Sequence, residues 1–160
     1  MSTIIGIDPG THESALLGFD GSHILNPIIR SNADILDYVG AYGPVSELLA
    51  IEMVACYGMP VGEETFETCL WIGRFIQRWK DTDPGRVSLI TRKEVKLHLC
   101  GSFRAKDKNV RRALMDIYGG SGAVGTKKKP GPLYGIKTHL WSALAVAHTA
   151  WHRDILGKEI

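Results

Sequence analysis

Thr3-Ile4-Ile5-Gly6-Ile7-Asp8-Pro9-Gly10-Thr11 is the stretch on which the fold turns. A short apolar run is cut by Asp-Pro-Gly, the pattern of a strand followed by a tight turn. Ser14 to Phe19 then reads as a second strand, Asp20-Gly21 as a hairpin turn and His23 to Ile29 as a third strand, so the chain opens as an antiparallel meander. Ser31 is placed to cap a helix running to about Val39, with Ile35, Leu36 and Val39 on its inner face.

A Gly/Pro loop leads to a fourth strand, Glu47 to Met53, and Gly58 and Pro60 break the chain before a long helix from Glu63 to Lys80. That helix begins acidic and ends with Arg74, Arg78 and Lys80, as the helix dipole favours. Its apolar residues, Phe66, Leu70, Trp71, Ile72, Phe75, Ile76 and Trp79, cover more than one face. The excess predicts a second burial surface, with Trp71 and Phe75 as test positions for self-association. Arg86 to Ile90 reads as a fifth strand, and Thr91 with Glu94 as a capping box for a helix ending near Leu99. Asp107 is placed to cap a helix from Lys108 to Tyr118, and Gly119 to Leu133, glycine-rich with little to bury, reads as a mobile loop. Ile136 to about Trp151 is a mostly apolar helix, broad enough to lie under the sheet.

Asp8 and Glu52 each close an apolar strand-like run, and His139 opens the last apolar helix. Carboxylates at the carboxyl ends of buried strands are where an α/β sheet places its ligands, so the three predict a divalent-metal site. An ionised Glu52 inside Leu48 to Val54 would cost several kcal/mol unless paired or metal-bound. The bland readings are a turn-forming Asp8, a lysine-paired Glu52 and a His139 that is a packed or surface residue. His148 and His152, four apart, read as dipole-favoured surface residues rather than a metal pair.

The 160 residues suit a single domain, 1–160. The net charge of +2 conceals segregation. Residues 1–85 carry four Lys/Arg against twelve Asp/Glu, a net −8, whereas residues 86–139 carry thirteen against three, a net +10. Such a basic segment predicts a polyanion-binding face, with Arg104, Lys106, Lys108, Arg111, Arg112, Lys127, Lys128, Lys129 and Lys137 as its phosphate contacts. Apolar stretches fall far short of the roughly 20 residues that span a bilayer, and no signal segment is evident, so a cytosolic protein is expected. Cys56, Cys69 and Cys100 are an odd number without a Cys-x-x-Cys pair and are expected to be buried thiols. Tyr57, Met59 and Phe103 flank the site strands; packing is their simpler reading, and stacking on an opened nucleic acid their functional one.

The ordered set of strand-Asp-Pro-Gly, three antiparallel strands, Ile-Glu on the fourth and a last helix opening with a metal-capable residue resembles the ribonuclease H-like plan. Ile7-Asp8-Pro9-Gly10-Thr11, Ile51-Glu52-Met53, Gly73 and Ala143-Leu144-Ala145-Val146-Ala147 further resemble the RuvC-type Holliday junction resolvases, particularly their phage-borne relatives. The resemblance implies an α/β fold with a five-stranded mixed sheet, three antiparallel strands then parallel strands, flanked by helices. It implies Asp8 and Glu52 as catalytic carboxylates. His139 and Ser142 occupy places where bacterial members typically carry two aspartates: His139 serves as a neutral imidazole ligand, Ser142 as a weak donor.

The implied activity is Mg²⁺- or Mn²⁺-dependent resolution of four-way junctions, with two ions per site and paired nicks leaving 5′-phosphate and 3′-hydroxyl ends. The implied partners are branched DNA and a second copy of the chain docked through the 63–80 helix, with no membrane and no small-molecule cofactor, in a bacterial or phage-infected cell. A flap or general branched-DNA endonuclease and a branched-DNA-binding protein without catalysis are the alternatives. The Asp8-Pro9-Gly10-Thr11 turn also resembles the phosphate loop of actin-like ATPases, which need a second such loop and about twice this length.

Overall fold

A computed structural model describes residues 2–82 and 85–157. Its strands are β1 (Ile4–Asp8), β2 (Glu13–Phe19), β3 (Ile24–Ser31), β4 (Leu48–Met53) and β5 (Arg86–Thr91). Its α-helices are α1 (Asn32–Tyr42), α2 (Glu63–Lys80), α3 (Arg92–Cys100), α4 (Asp107–Ile117) and α5 (Leu140–Ala150), the last continued by a π-helical turn, Trp151–Ile155. The strands form one sheet in the order β3-β2-β1-β4-β5. β1, β2 and β3 pair antiparallel, and β1, β4 and β5 run parallel. This is the five-stranded mixed sheet expected from the sequence.

Period-two alternation divides the core between the two faces of the sheet. Ile5, Ile7, Leu49 and Ile51 pack with Ile35, Val39, Ile72, Phe75 and Trp79, under α1 and α2. Ile4, Leu48, Ala50 and Ile90 pack with Ala143, Leu144, Ala147 and Ala150, under α5. The central strands are therefore apolar on both faces, as parallel strands covered on both sides must be. Each fully buried Leu or Ile there contributes about 1.5–3 kcal/mol. Gly6 is required by the closeness of α5: a methyl group on it would lie 2.6 Å from the Ala143 carbonyl oxygen and 2.8 Å from Ala147 Cβ.

The same alternation carries function to one face. Counting two residues at a time from Ile4 reaches Gly6 and then Asp8; from Leu48 it reaches Ala50 and Glu52; from Ser88 it reaches Ile90 and Arg92. β1 and β4 pair in parallel as far as Ile7 opposite Ile51, so Asp8 and Glu52 are the next step of the same register. All three polar side chains thus leave the sheet on the α5 side, at its carboxyl edge, where α5 begins.

Several local expectations are corrected. β2 begins one residue early, at Glu13, and β3 runs on to Ser31, because pairing of Glu13 with Ser31 extends the hairpin. Ser31 does cap α1, accepting from the Asp34 amide, and Thr91 and Glu94 form the capping box of α3. Asp107 does not cap α4. Lys106 is the N-cap residue, its amide bonded to Asn109 Oδ1 at 2.9 Å, and the Asp107 carboxylate is drawn away to Arg92.

Residues 119–133 are not a loose loop. Ala123 and Leu133 are buried and joined by a backbone hydrogen bond of 2.9 Å, and Gly125 bridges Pro130, so Lys127, Lys128 and Lys129 stand at the tip of an anchored turn. The last helix starts only at Leu140, since Leu133 to Thr138 form successive turns. Cys56 is exposed and Cys69 and Cys100 half-buried, against the expectation of buried thiols. On α2, Phe75 is fully buried and Trp71 packs beside it, so neither offers a free face; Phe66 and Leu70 do, at 62% and 66% exposed. Among the described residues no helix is long and apolar enough to cross a membrane.

Candidate active site

The turn after β1 is held by two buried polar groups. Ser14 Oγ accepts from the Gly10 amide at 3.1 Å and donates to Asn32 Oδ1 at 2.6 Å, while Asn32 Nδ2 donates to the Gly10 carbonyl at 2.9 Å. With every partner satisfied, this network ties the Asp-Pro-Gly turn to β2 and α1 and so fixes where Asp8 ends. On the opposite side Thr138 adopts a left-handed backbone (φ 46°), a conformation costing a β-branched residue about 1–3 kcal/mol. The strained turn swings the chain into α5 and presents His139 at the N-cap position.

His139 Nδ1 lies 2.9 Å from Asp8 Oδ2. As donor, Nδ1 leaves the Nε2 lone pair pointing away from the carboxylate, and the ring is 71% exposed. Arg92 enters from the start of α3, where Nη2 meets Asp107 Oδ1 at 2.6 Å, Nη1 lies 3.9 Å from Glu52 Oε1, and Nη1 donates to Ser142 Oγ at 3.2 Å. Two clefts meet over these groups. One, of about 540 Å³, runs along the Pro9–Glu13 turn, and the other, of about 430 Å³, is lined by Glu52, Arg92, Asp107, Arg111, Trp141 and Ser142. Asp8 and His139 belong to both.

The electrostatics are those of a site short of positive charge. Burial raises Asp8 above the ordinary carboxylate range, against the opposing pull of His139 and Arg92. Burial, then the Asp8 charge beside it, pushes Glu52 up to about 7. Arg92 lowers it only in part because its guanidinium is shared with Asp107, whose carboxyl is held below its usual range by the Arg92 hydrogen bond. Two desolvated carboxylates facing each other with one shared cation are the donor set that a hard divalent ion neutralises, and they fit Mg²⁺ or Mn²⁺.

The structure brings Asp8, Glu52, His139 and Ser142 around one cleft. Ser142 is engaged by Arg92, and the third carboxylate of that cleft, Asp107, is itself paired to Arg92. The sequence reading overlooked Arg92, although it follows the end of β5 as Asp8 and Glu52 end β1 and β4, and overlooked the Ser14–Asn32 network, which leaves no sequence signal. The predicted phosphate contacts Arg104, Lys106, Lys108, Arg111, Arg112, Lys127, Lys128, Lys129 and Lys137 are all exposed. Arg111 stacks over the Trp141 ring, 5.2 Å from its centroid, at the lip of the cleft. Tyr57, Met59 and Phe103 are 49%, 71% and 56% exposed, which overturns the packing reading for them. His148 is buried, not a surface residue, and meets His98 and His152 about 13 Å along α5 from His139.

The sheet order, the helices on both faces and the carboxyl-edge site define a ribonuclease H-like fold of the RuvC type. The chain superposes on Thermus thermophilus RuvC with a TM-score of 0.68 at 20% identity, over 97% of this chain and 96% of that one. T. thermophilus RuvC in complex with a Holliday junction substrate matches at 0.68 and 19% identity, over 98% and 97% of the two chains. The yeast mitochondrial Holliday junction resolvase Ydc2 matches at 0.53 and 12% identity, over 95% of this chain and 79% of that one. No protein-family model and no curated protein matches the sequence.

Proposed function

We propose that this protein is a metal-dependent endodeoxyribonuclease that resolves four-way DNA junctions by paired nicks leaving 5′-phosphate and 3′-hydroxyl ends. The observation that carries the reading is the meeting of Asp8 and Glu52, partly buried carboxylates at neighbouring parallel strand ends, with His139 at the start of α5. Likeness of fold to resolvases, one of them bound to a junction, supports it. Asp8, Glu52 and His139 would hold Mg²⁺ or Mn²⁺, with Ser142 a weak further donor. An ion held there would polarise the scissile phosphate and lower the pKa of an attacking water.

The chain itself supplies the remaining parts. Asp8 and Glu52 bring the negative charge that concentrates a cation in the cleft. Asp8 orients the His139 ring through Nδ1. Arg111, which lines the cleft, and the exposed Lys137 and Lys127–Lys129 would contact phosphates without reading sequence. Tyr57, Met59 and Phe103 offer exposed apolar surface on which an unpaired base can stack.

Two symmetric nicks call for two active sites related by a dyad, and the exposed Phe66–Leu70 face of α2 is where a second copy docks. Leu70→Glu is expected to give a monomer by light scattering that nicks junctions singly and at least tenfold more slowly; a dimer cutting at the wild-type rate would move the interface elsewhere. The function is tested with labelled four-way junction and matching linear duplex, with Mg²⁺ or EDTA. Paired nicks on the junction alone, abolished by EDTA, are expected. Equal cutting of flaps and junctions would make this a general branched-DNA endonuclease, and tight binding without nicks, the outcome favoured if Arg92 blocks the place beside Ser142, a binding protein.

A further inference from the structure

Far from the carboxylates, three histidines from two elements converge. His98 lies in the last turn of α3, His148 in the last turn of α5, and His152 one helical turn beyond it in the π-helical segment. One ring nitrogen from each lies within 4.8 Å of the other two. Ring centroids are 4.7 Å apart for His148 and His152 and 5.0 Å apart for His98 and His152. His148 is 6% exposed, packs against Phe19 at 5.7 Å, and its Nδ1 is buried with no hydrogen-bond partner. A buried imidazole nitrogen without a partner is rare enough to call for a reason.

We propose that His98, His148 and His152 form a transition-metal site of the Zn²⁺ class that pins the end of α3 to the end of α5. The donor set is all imidazole, the choice of Zn²⁺ and its neighbours and not of Mg²⁺, which takes oxygen. Zn–N bonds of about 2.0–2.1 Å require each ring to close inward by less than an ångström from the present triangle. Residues four apart on one helix face the same way, and His98 stands in the last turn of α3, at the negative end of its dipole. The neighbouring charges are otherwise engaged: Arg153 bonds Glu94 at 3.0 Å and Asp154 at 3.1 Å. Because α3 starts at Arg92 and α5 follows His139, an ion here braces both helices that deliver side chains to the candidate active site.

The test uses the full chain, stripped with chelator and kept in excess Mg²⁺ so that the oxygen site is occupied by the hard ion. Co²⁺ is the probe, read by the visible absorption of tetrahedral nitrogen-ligated cobalt, then displaced by Zn²⁺. One equivalent is expected to bind. Zn²⁺ at about a hundredfold excess over Kd is expected to raise Tm by roughly 5–10 °C. His98→Gln and His152→Gln, at half-buried positions that leave the fold intact by circular dichroism, are expected to weaken binding by more than the roughly 10–100-fold that an outer-shell change costs. Asp8→Asn with Glu52→Gln is expected to bind Co²⁺ as wild type does, which separates this site from the proposed nuclease. No cobalt absorption in wild type, or an absorption lost with the carboxylates and kept in the histidine variants, would overturn the assignment.

Discussion

Asp8→Asn is expected to reduce junction cleavage by at least about 10³-fold while leaving junction affinity within a few-fold of wild type. The change removes one anionic oxygen donor and keeps shape and volume, so what is lost is the ability to hold a cation beside Glu52 and to orient His139. Affinity is expected to survive because the proposed phosphate contacts are the exposed basic set, and the salt dependence of binding is expected to be unchanged. Stability moves in the opposite direction. Glu52 titrates near 7 in the folded chain against 4.5 for the free side chain, so between those values the folded state holds more protons than the unfolded one. Without metal, stability therefore falls as pH rises from about 4.5 to 7 and levels off above.

Removing the Asp8 charge lifts the second largest cause of that shift. The variant is thus expected to be at least as heat-stable as wild type at pH 8 in EDTA, with a shallower loss between pH 5 and 7. Mg²⁺ should raise Tm in wild type and hardly at all in the variant. A variant that cuts at a tenth of the wild-type rate or better, or that melts well below it, would mean that Asp8 is a turn residue and not a metal ligand.

How much of this was legible in the chain follows from what alternation and capping can encode. The five strands and the two central carboxylates were readable because a buried parallel strand is a run of apolar residues, and a charge at its end stands out. α2 was readable to the residue, since acidic start, basic end and flanking glycine and proline agree. The anchored 119–133 turn was not, because its burial rests on two small contacts, Ala123 and Leu133, dispersed among glycines and lysines. The exposed face of α2 was misassigned for a different reason. Seven apolar positions on 18 residues leave the inner stripe ambiguous until the sheet chooses it, and it chose Ile72, Phe75 and Trp79. His148 escaped because a histidine near a helix end is usually solvated; only the packing of Phe19 and α3 over it makes it a buried donor.

Arg92 carries the second large expectation, because its place makes this site unlike one built from four acids. Where the resemblance leads one to expect a second carboxylate on α5, Ser142 accepts a hydrogen bond from Arg92, whose charge is divided between Glu52 and Asp107. A guanidinium there offsets part of the carboxylate charge, which a second cation would otherwise do. Arg92→Ala is expected to lower kcat by about 10–100-fold with little change in junction affinity, and Arg92→Lys to recover part of it, since a point charge replaces a fork.

A merely structural role would not move the pH profile, whereas loss of this charge does. Arg92 is among the groups that lower Glu52, so its removal pushes Glu52 higher still and shifts the acid limb of the rate profile to higher pH. Ser142→Asp combined with Arg92→Ala puts a carboxylate at the place where the resemblance leads one to expect it, and its rate is expected to depend on Mg²⁺ more steeply than that of wild type. If Arg92→Ala cuts normally with an unshifted profile, the guanidinium is only the partner of Asp107 at the start of α4, and the charge that balances Glu52 comes wholly from the bound ion.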